Sequence, residues 1–244
     1  VRQLGIVAAL RDEARLLTRQ PLELRQPTAL GENVVLQVSG MGPERAKAAG
    51  EDLISRGAQA LLSWGTAAAL DPTLMPGTLM LSNTVFSAEG GAFEVDKEWQ
   101  ESVSRSLSSS LNVHHGAVCE SGVILDSPAA KAGLYAQNGC TAVDMESAAL
   151  AQLASEKGLP FLSLRYIVDP HDMALPVSLM ASLDTEGQVR LMRLLGQLVL
   201  HPTDIVALVR LGRAFGQAKK SMQTTIETLG VQMGLPHTER SSSV

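Results

Sequence analysis

The chain of 244 residues is long enough for one large domain, and 45% hydrophobic against 18% charged residues excludes a disordered protein. Aromatic residues make up only 3%, so Ala, Leu and Val must fill the core. A net charge of −5 excludes a broad nucleic-acid surface, which would need many Lys and Arg against phosphates, and favours small-molecule chemistry.

Short apolar runs rich in β-branched residues alternate with segments of helical period, the pattern of an α/β sandwich. Strands are predicted at Leu4–Ala9, Val34–Ser39, Ala60–Trp64, Thr78–Ser82, His115–Glu120, Thr141–Asp144 and Phe161–Val168. Pro43 and Pro128 sit where a first helical position is expected, Ser127 fits a cap, and Gly158 ends a helix that starts near Glu146. Beyond Asp169 two Leu-rich helical segments are predicted, Val189–Leu200 and Thr203–Ala218, divided by His201-Pro202. They make residues 171–230 a helical extension of a single domain over 1–237, followed by a Ser-rich tail, 238–244, expected to be disordered. Cys119 and Cys140 lack metal-type spacing and are expected as reduced core residues. The first strand begins within a few residues without a basic-then-apolar leader, and Asp71, Pro72 and Pro76 interrupt the weakly charged stretch 58–86. A cytoplasmic protein, with access to a membrane surface, is therefore expected.

Four separated segments carry candidate chemistry. Gly5 to Glu13 runs from a strand into a helix with acidic residues in its first turn; alone, Glu13 reads equally as a carboxylate complementing the helix dipole. Val38-Ser39-Gly40-Met41-Gly42-Pro43 is a strand, a Gly-x-Gly turn and a helix start, where N–H groups are available to an anion, or simply a tight turn. Ser63-Trp64-Gly65-Thr66 is a strand end followed by small residues that let the backbone approach a ligand or a helix. Ala142-Val143-Asp144-Met145-Glu146 and Leu164 to Asp169 place acidic residues at the ends of apolar strands, where open α/β sheets bind ligands. The pair His114-His115 reads as a solvated strand end, and no residue set implies a metal or another cofactor.

Taken together and in this order, the segments resemble the nucleoside phosphorylase and nucleosidase superfamily from about Leu4 to Asp169. The likeness is greatest to the methylthioadenosine/S-adenosylhomocysteine nucleosidases, on Glu13, Gly40 and Gly42, Met145 and Glu146, and Asp169. Within that branch, Val143 to Ser147 and the run from Asp169-Pro170 to Ala174-Leu175-Pro176 look most like the hopanoid-associated phosphorylases. The resemblance implies a three-layer sandwich of nucleoside phosphorylase type, a central mixed β-sheet flanked by helices. It also implies cleavage of an adenine nucleoside, with adenosylhopane as leading substrate and a methylthioadenosine/S-adenosylhomocysteine nucleosidase or a non-catalytic nucleoside-binding module as alternatives.

Residue by residue, it implies Asp169 as the general acid toward purine N7 and Glu13 as the group that activates water. Glu146, Met145, Thr66, Asp144 and Gly65 would bind substrate, and Gly40, Gly42 and Arg45 form a candidate phosphate site, so water and phosphate both stand as acceptors. Ala68 and Ala69 stand where nucleosidases commonly have glycines, and Leu125 stands near their base-stacking Phe. Family members are homo-oligomers. The extension adds an expectation of its own, because Leu191, Leu194, Leu195 and Leu198, then Ile205, Leu208 and Val209, repeat at helical spacing. Residues 186–220 carry six basic residues, Arg190, Arg193, Arg210, Arg213, Lys219 and Lys220, against Glu186 and Asp204, which suits peripheral contact with an anionic membrane and a lipid-linked nucleoside.

Overall fold

A computed structural model describes residues 2–183, 190–201 and 203–236, without the side chains of residues 191, 192, 195, 198 and 199. Its centre is β1 (Leu4–Ala8), buried along its whole length as a strand covered on both faces must be. β1 runs parallel to β3 (Val34–Val38) on one side and to the first half of β4 (Ala60–Ala69) on the other. β2 (Pro27–Gly31) adds an antiparallel edge to β3.

The ten-residue β4 then leaves this parallel sheet and enters a ring. It pairs with β9 (Phe161–Asp169) in parallel and, at Ala68 and Ala69, with β8 (Ala142–Asp144) in antiparallel fashion. β9 is antiparallel to β5 (Leu79–Phe86), β5 is parallel to β7 (Val113–Glu120), and β7 is parallel to β8, which closes the ring. β6 (Ala92–Glu94) is a short edge on β5. The result is the expected mixed sheet flanked by helices.

The helices are α1 (Arg11–Ala14), α2 (Pro43–Ser55), α3 (Lys97–Leu107), α4 (Pro128–Asn138), α5 (Ser147–Lys157), α6 (Val177–Met180), α7 (Leu191–Leu200) and α8 (Asp204–Leu229). Local chemistry sets their ends. Ser127 accepts a hydrogen bond from the Ala130 N–H at 3.3 Å, and Gly158, at φ 63°, supplies the left-handed turn that stops α5. α2 and α5 lie in direct contact because Gly50 has no side chain; a Cβ there would stand 2.7 Å from Leu153 Cδ2.

Several elements differ from the sequence reading: β5 runs four residues past the predicted end at Ser82, β6 was not predicted, and three further differences have local causes. β4 runs five residues past Trp64, so Gly65 and Thr66 lie inside a strand; its second half, Gly-Thr-Ala-Ala-Ala, has little β-propensity and is held by β8 and β9. β2, with Pro27 and Gly31 at its ends and a half-exposed face, carries no strand pattern because it is an edge. α8 continues eleven residues beyond Ala218, through a segment whose buried residues Met222 and Thr225 keep the helical spacing of Ala214 and Ala218. Thr225 accepts from the Tyr166 hydroxyl at 2.6 Å and thereby fixes α8 on β9. Cys119 and Cys140 are buried, unbridged core residues, and burial together with the neighbouring Cys140 pushes the Cys119 thiol up. The predicted tail 238–244 and Val189, the first residue of the Val189–Leu200 segment, lie outside the described residues, as do the side chains of Leu191, Leu195 and Leu198.

Candidate active site

The ends of β1, β8 and β9 and the bend of β4 open onto one cavity of about 640 Å³, at the edge of the sheet where α/β folds leave room for ligands. Glu13, Thr66, Asp144, Met145, Glu146 and Asp169 all line it. The sequence separates them by up to nearly two thirds of the chain; the sheet brings them together.

Glu13 reaches the cavity because α1 is a single turn following β1. Its Oε2 accepts from the Leu10 N–H at 3.1 Å, and its Oε1 accepts from the Thr66 N–H and hydroxyl, both at 2.8 Å. Gly65 makes this approach possible, since a Cβ there would stand 2.6 Å from Arg165 Nη1 and 2.9 Å from Glu13 Oε2. Thr66 therefore holds Glu13 in place as well as facing the cavity.

Arg165, only 2% exposed, is the cation at the centre of the carboxylates. Its Nε lies 2.6 Å from Asp144 Oδ2, its Nη2 lies 3.7 Å from Glu146 Oε2, and it also donates to Ser63 and Ser147. Asp144 is fully engaged: Oδ1 accepts from the N–H groups of Glu146 and Ser147 at the start of α5, and Oδ2 takes Arg165 and the Ser147 hydroxyl. Glu146 is held by the Gly42 N–H, which donates to its Oε1 at 2.9 Å. Gly40 and Gly42, at φ 83° and 106°, form a turn that only glycine adopts readily. Its Gly42 amide meets a protein carboxylate, and its Gly40 amide donates to the Ala9 carbonyl. Arg45 folds back on the Met41 carbonyl at 3.4 Å and is not among the cavity-lining residues.

Asp169 ends β9 opposite Ala68. Its Oδ1 stands 2.6 Å from the ammonium of Lys131, a residue of α4 with no solvent exposure. Burial raises the Asp169 carboxyl above its ordinary range although Lys131 opposes the change. Burial likewise raises Glu13 against the charge of Arg165 and the bonds from Thr66. Among the described residues Arg165 is the guanidinium that meets Asp144 and Glu146, and the cavity lining holds Asp12, Glu13, Asp144, Glu146 and Asp169 against Arg11, Arg15 and Arg165, so the fully ionised site carries surplus negative charge.

Part of the lining is apolar. The turn after β9, α6 and α8 contribute Leu175, Leu179, Leu183, Leu208, Leu211 and Phe215, and Leu125 adds to it from the loop before α4.

A family model described as the phosphorylase superfamily matches residues 4–199. The chain belongs to that superfamily. Among solved structures, this phosphorylase-superfamily fold is similar to the 5′-methylthioadenosine/S-adenosylhomocysteine nucleosidase of Neisseria meningitidis in complex with methylthio-immucillin-A. That likeness has a TM-score of 0.69 at 16% identity and covers 96% of this chain and 98% of that one. The corresponding Helicobacter pylori nucleosidase with butyl-thio-DADMe-immucillin-A gives 0.66 at 16%, covering 93% and 98%. Futalosine hydrolase of H. pylori gives 0.60 at 18%, covering 69% and 88%. At these identities the likeness concerns the fold.

Two residues of this candidate site were not singled out from sequence. Arg165 was legible in principle, as a charge inside the apolar run Phe161–Val168, but a strand buried on both faces gives no alternation to say where it points. Lys131 is a lone cation in a helix of small residues, 38 positions before its partner, and carries no local signal.

The site predicts a pH effect on stability. Burial pushes the Glu146 carboxyl up to about 7 from 4.5, against Arg165 and with the help of Asp144. The folded protein thus retains this proton to higher pH than the unfolded chain, so the associated stabilisation is present below about 4.5 and is lost as pH rises to about 7. Unfolding temperature should fall over this window in the wild type and fall less in Glu146→Gln; parallel curves would contradict the assignment.

Proposed function

We propose that the protein cleaves the N-glycosidic bond of an adenine nucleoside carrying a large apolar 5′-substituent, with water as nucleophile, and that adenosylhopane is its substrate. The observation that carries the reading is the composition of this cavity, which joins Glu13, Glu146 and Asp169 with a Leu-rich lining from α6, the segment after it and α8.

Each part of the chemistry has a candidate residue. Asp169, when protonated, donates to purine N7 as the C–N bond breaks and its electron pair passes to the base. Glu146 accepts hydrogen bonds from the ribose hydroxyls, and Met145 packs on the sugar. Glu13 orients water and takes its proton as oxygen bonds to the anomeric carbon. The surplus of carboxylates favours neutral water over phosphate, because an entering phosphate would meet like charge in a shielded site. Gly42, which would serve a phosphate loop, already donates to Glu146.

The apolar wall supports a lipid-linked substrate over the small 5′-groups of methylthioadenosine. Val177 on α6, Leu200 on α7 and Ile205, Val206 and Val209 on α8 are between 48% and 77% exposed, and Arg193, Arg213, Lys219 and Lys220 are exposed on α7 and α8. None of the described helices is long and apolar enough to cross a membrane. This surface therefore fits peripheral contact with an anionic bilayer from which the substrate is drawn.

Base release should be compared for adenosylhopane in anionic vesicles, adenosylhopane in neutral vesicles, methylthioadenosine and inosine, as adenine from the first three and hypoxanthine from the last. The expected order places adenosylhopane in anionic vesicles first and inosine last. Turnover of methylthioadenosine exceeding that of adenosylhopane would return the protein to the methylthioadenosine/S-adenosylhomocysteine nucleosidases. Equal rates in the two vesicle types would remove the membrane contact.

A further inference from the structure

Lys131 is placed against the usual preferences for a cation. It lies in the first turns of α4, where the helix dipole disfavours positive charge, and it has no exposure to solvent. What holds it there is a complete set of acceptors. Its Nζ donates to Asp169 Oδ1 at 2.6 Å, to the Pro170 carbonyl at 3.0 Å and to the Met173 carbonyl at 2.8 Å. An ammonium has three N–H donors, which match the three acceptors around Nζ. Among the described hydrogen bonds none falls on Asp169 Oδ2, which leaves that oxygen for a ligand.

From this cluster we infer that Lys131 is a positioning residue that fixes the rotamer and sets the acid strength of Asp169. The inference rests on the reading of Asp169 as the acid toward N7. A carboxylic acid buried without a cation would hold its proton too firmly to give it up, while an acid whose strength matches the working pH transfers it best. By stabilising the carboxylate left behind, Lys131 assists the transfer of the Oδ2 proton to N7 and takes no proton itself. The other charged groups facing Asp169 are Asp172 and Arg210, which form an exposed bidentate pair at 2.9 and 2.8 Å in the turn after β9 and on α8. They largely offset one another, and Lys131 is the buried charge in direct contact.

A simple tie between α4 and the turn after β9 would have the same geometry, and acidity is the property that separates the two roles. Wild type, Lys131→Gln and Lys131→Arg are compared by the pH dependence of kcat/KM for adenine release and by carboxyl-carbon NMR titration of Asp169, assigned by its loss in Asp169→Asn. Activity requires protonated Asp169, so it falls on the alkaline side. In Lys131→Gln that limb and the Asp169 titration should both move to higher pH by at least about one unit, a tenfold gain in proton affinity, and Lys131→Arg should move them back. A uniform loss of activity with an unmoved limb and titration overturns the proposal. Should neither variant fold, the wild type decides: Asp169, with an ammonium at 2.6 Å, must titrate below Glu146, whose guanidinium partner stands at 3.7 Å, and the reverse order overturns it. A shifted titration without adenine release from any nucleoside would support the pairing while contradicting the proposed reaction.

Discussion

Asp169→Asn should lose about 10²–10⁴-fold in adenine release, the range of a general acid, because the amide keeps the shape of the side chain but has no transferable proton. The variant should also be less stable. Lys131 loses the anion that balances it in a fully buried position, and breaking such a pair costs about 3 kcal/mol when the remaining oxygen can still accept a hydrogen bond. Activity must therefore be measured well below the variant's own unfolding temperature. Near-wild-type turnover in the folded variant would remove Asp169 from the mechanism.

Glu13→Gln should be as severe, for a different reason. The carboxylate accepts two hydrogen bonds from Thr66 on one oxygen and one from Leu10 on the other, so every contact is an N–H or O–H pointing inward. A glutamine must direct its own NH₂ toward one of these donors, which misplaces the group and removes the base. We expect about a 10²–10⁴-fold loss of water attack. If phosphate were the true nucleophile, the same change would relieve repulsion and leave the rate intact or raise it. The direction of the effect thus separates the two chemistries.

The carboxylates were legible in the sequence because each stands where an apolar run stops. Asp144 and Glu146 follow Ala142-Val143, and Asp169 closes Phe161–Val168. What the sequence concealed is what those carboxylates touch. Arg165 and Lys131 each lie on a different element from their partners, so the ion pairs exist only after the ring of β4, β9, β5, β7 and β8 has closed. The Gly-x-Gly turn shows the same limit. Its backbone was readable as a set of available amides, but that Gly42 meets Glu146, 104 residues away, is a tertiary fact. β4 and β2 were misread for a local reason: small residues or an edge position hide a strand from patterns built on apolar alternation. In the extension, the apolar stripe of α8 was visible from Ile205 onward. Its docking through Thr225 on Tyr166 was not, because a hydroxyl pair between a helix and a strand leaves no periodic trace.

In the proposed reaction water, oriented by Glu13, attacks the sugar in a cavity whose surplus of carboxylates disfavours phosphate. The direct measurement is adenine release from adenosylhopane in phosphate-free buffer and again with phosphate added, the sugar product being followed by phosphorus NMR. The account predicts equal rates under the two conditions, no phosphate-ester signal, and loss of both rates in Glu13→Gln. Adenine release that requires phosphate, together with the appearance of a ribosyl 1-phosphate signal, would contradict it.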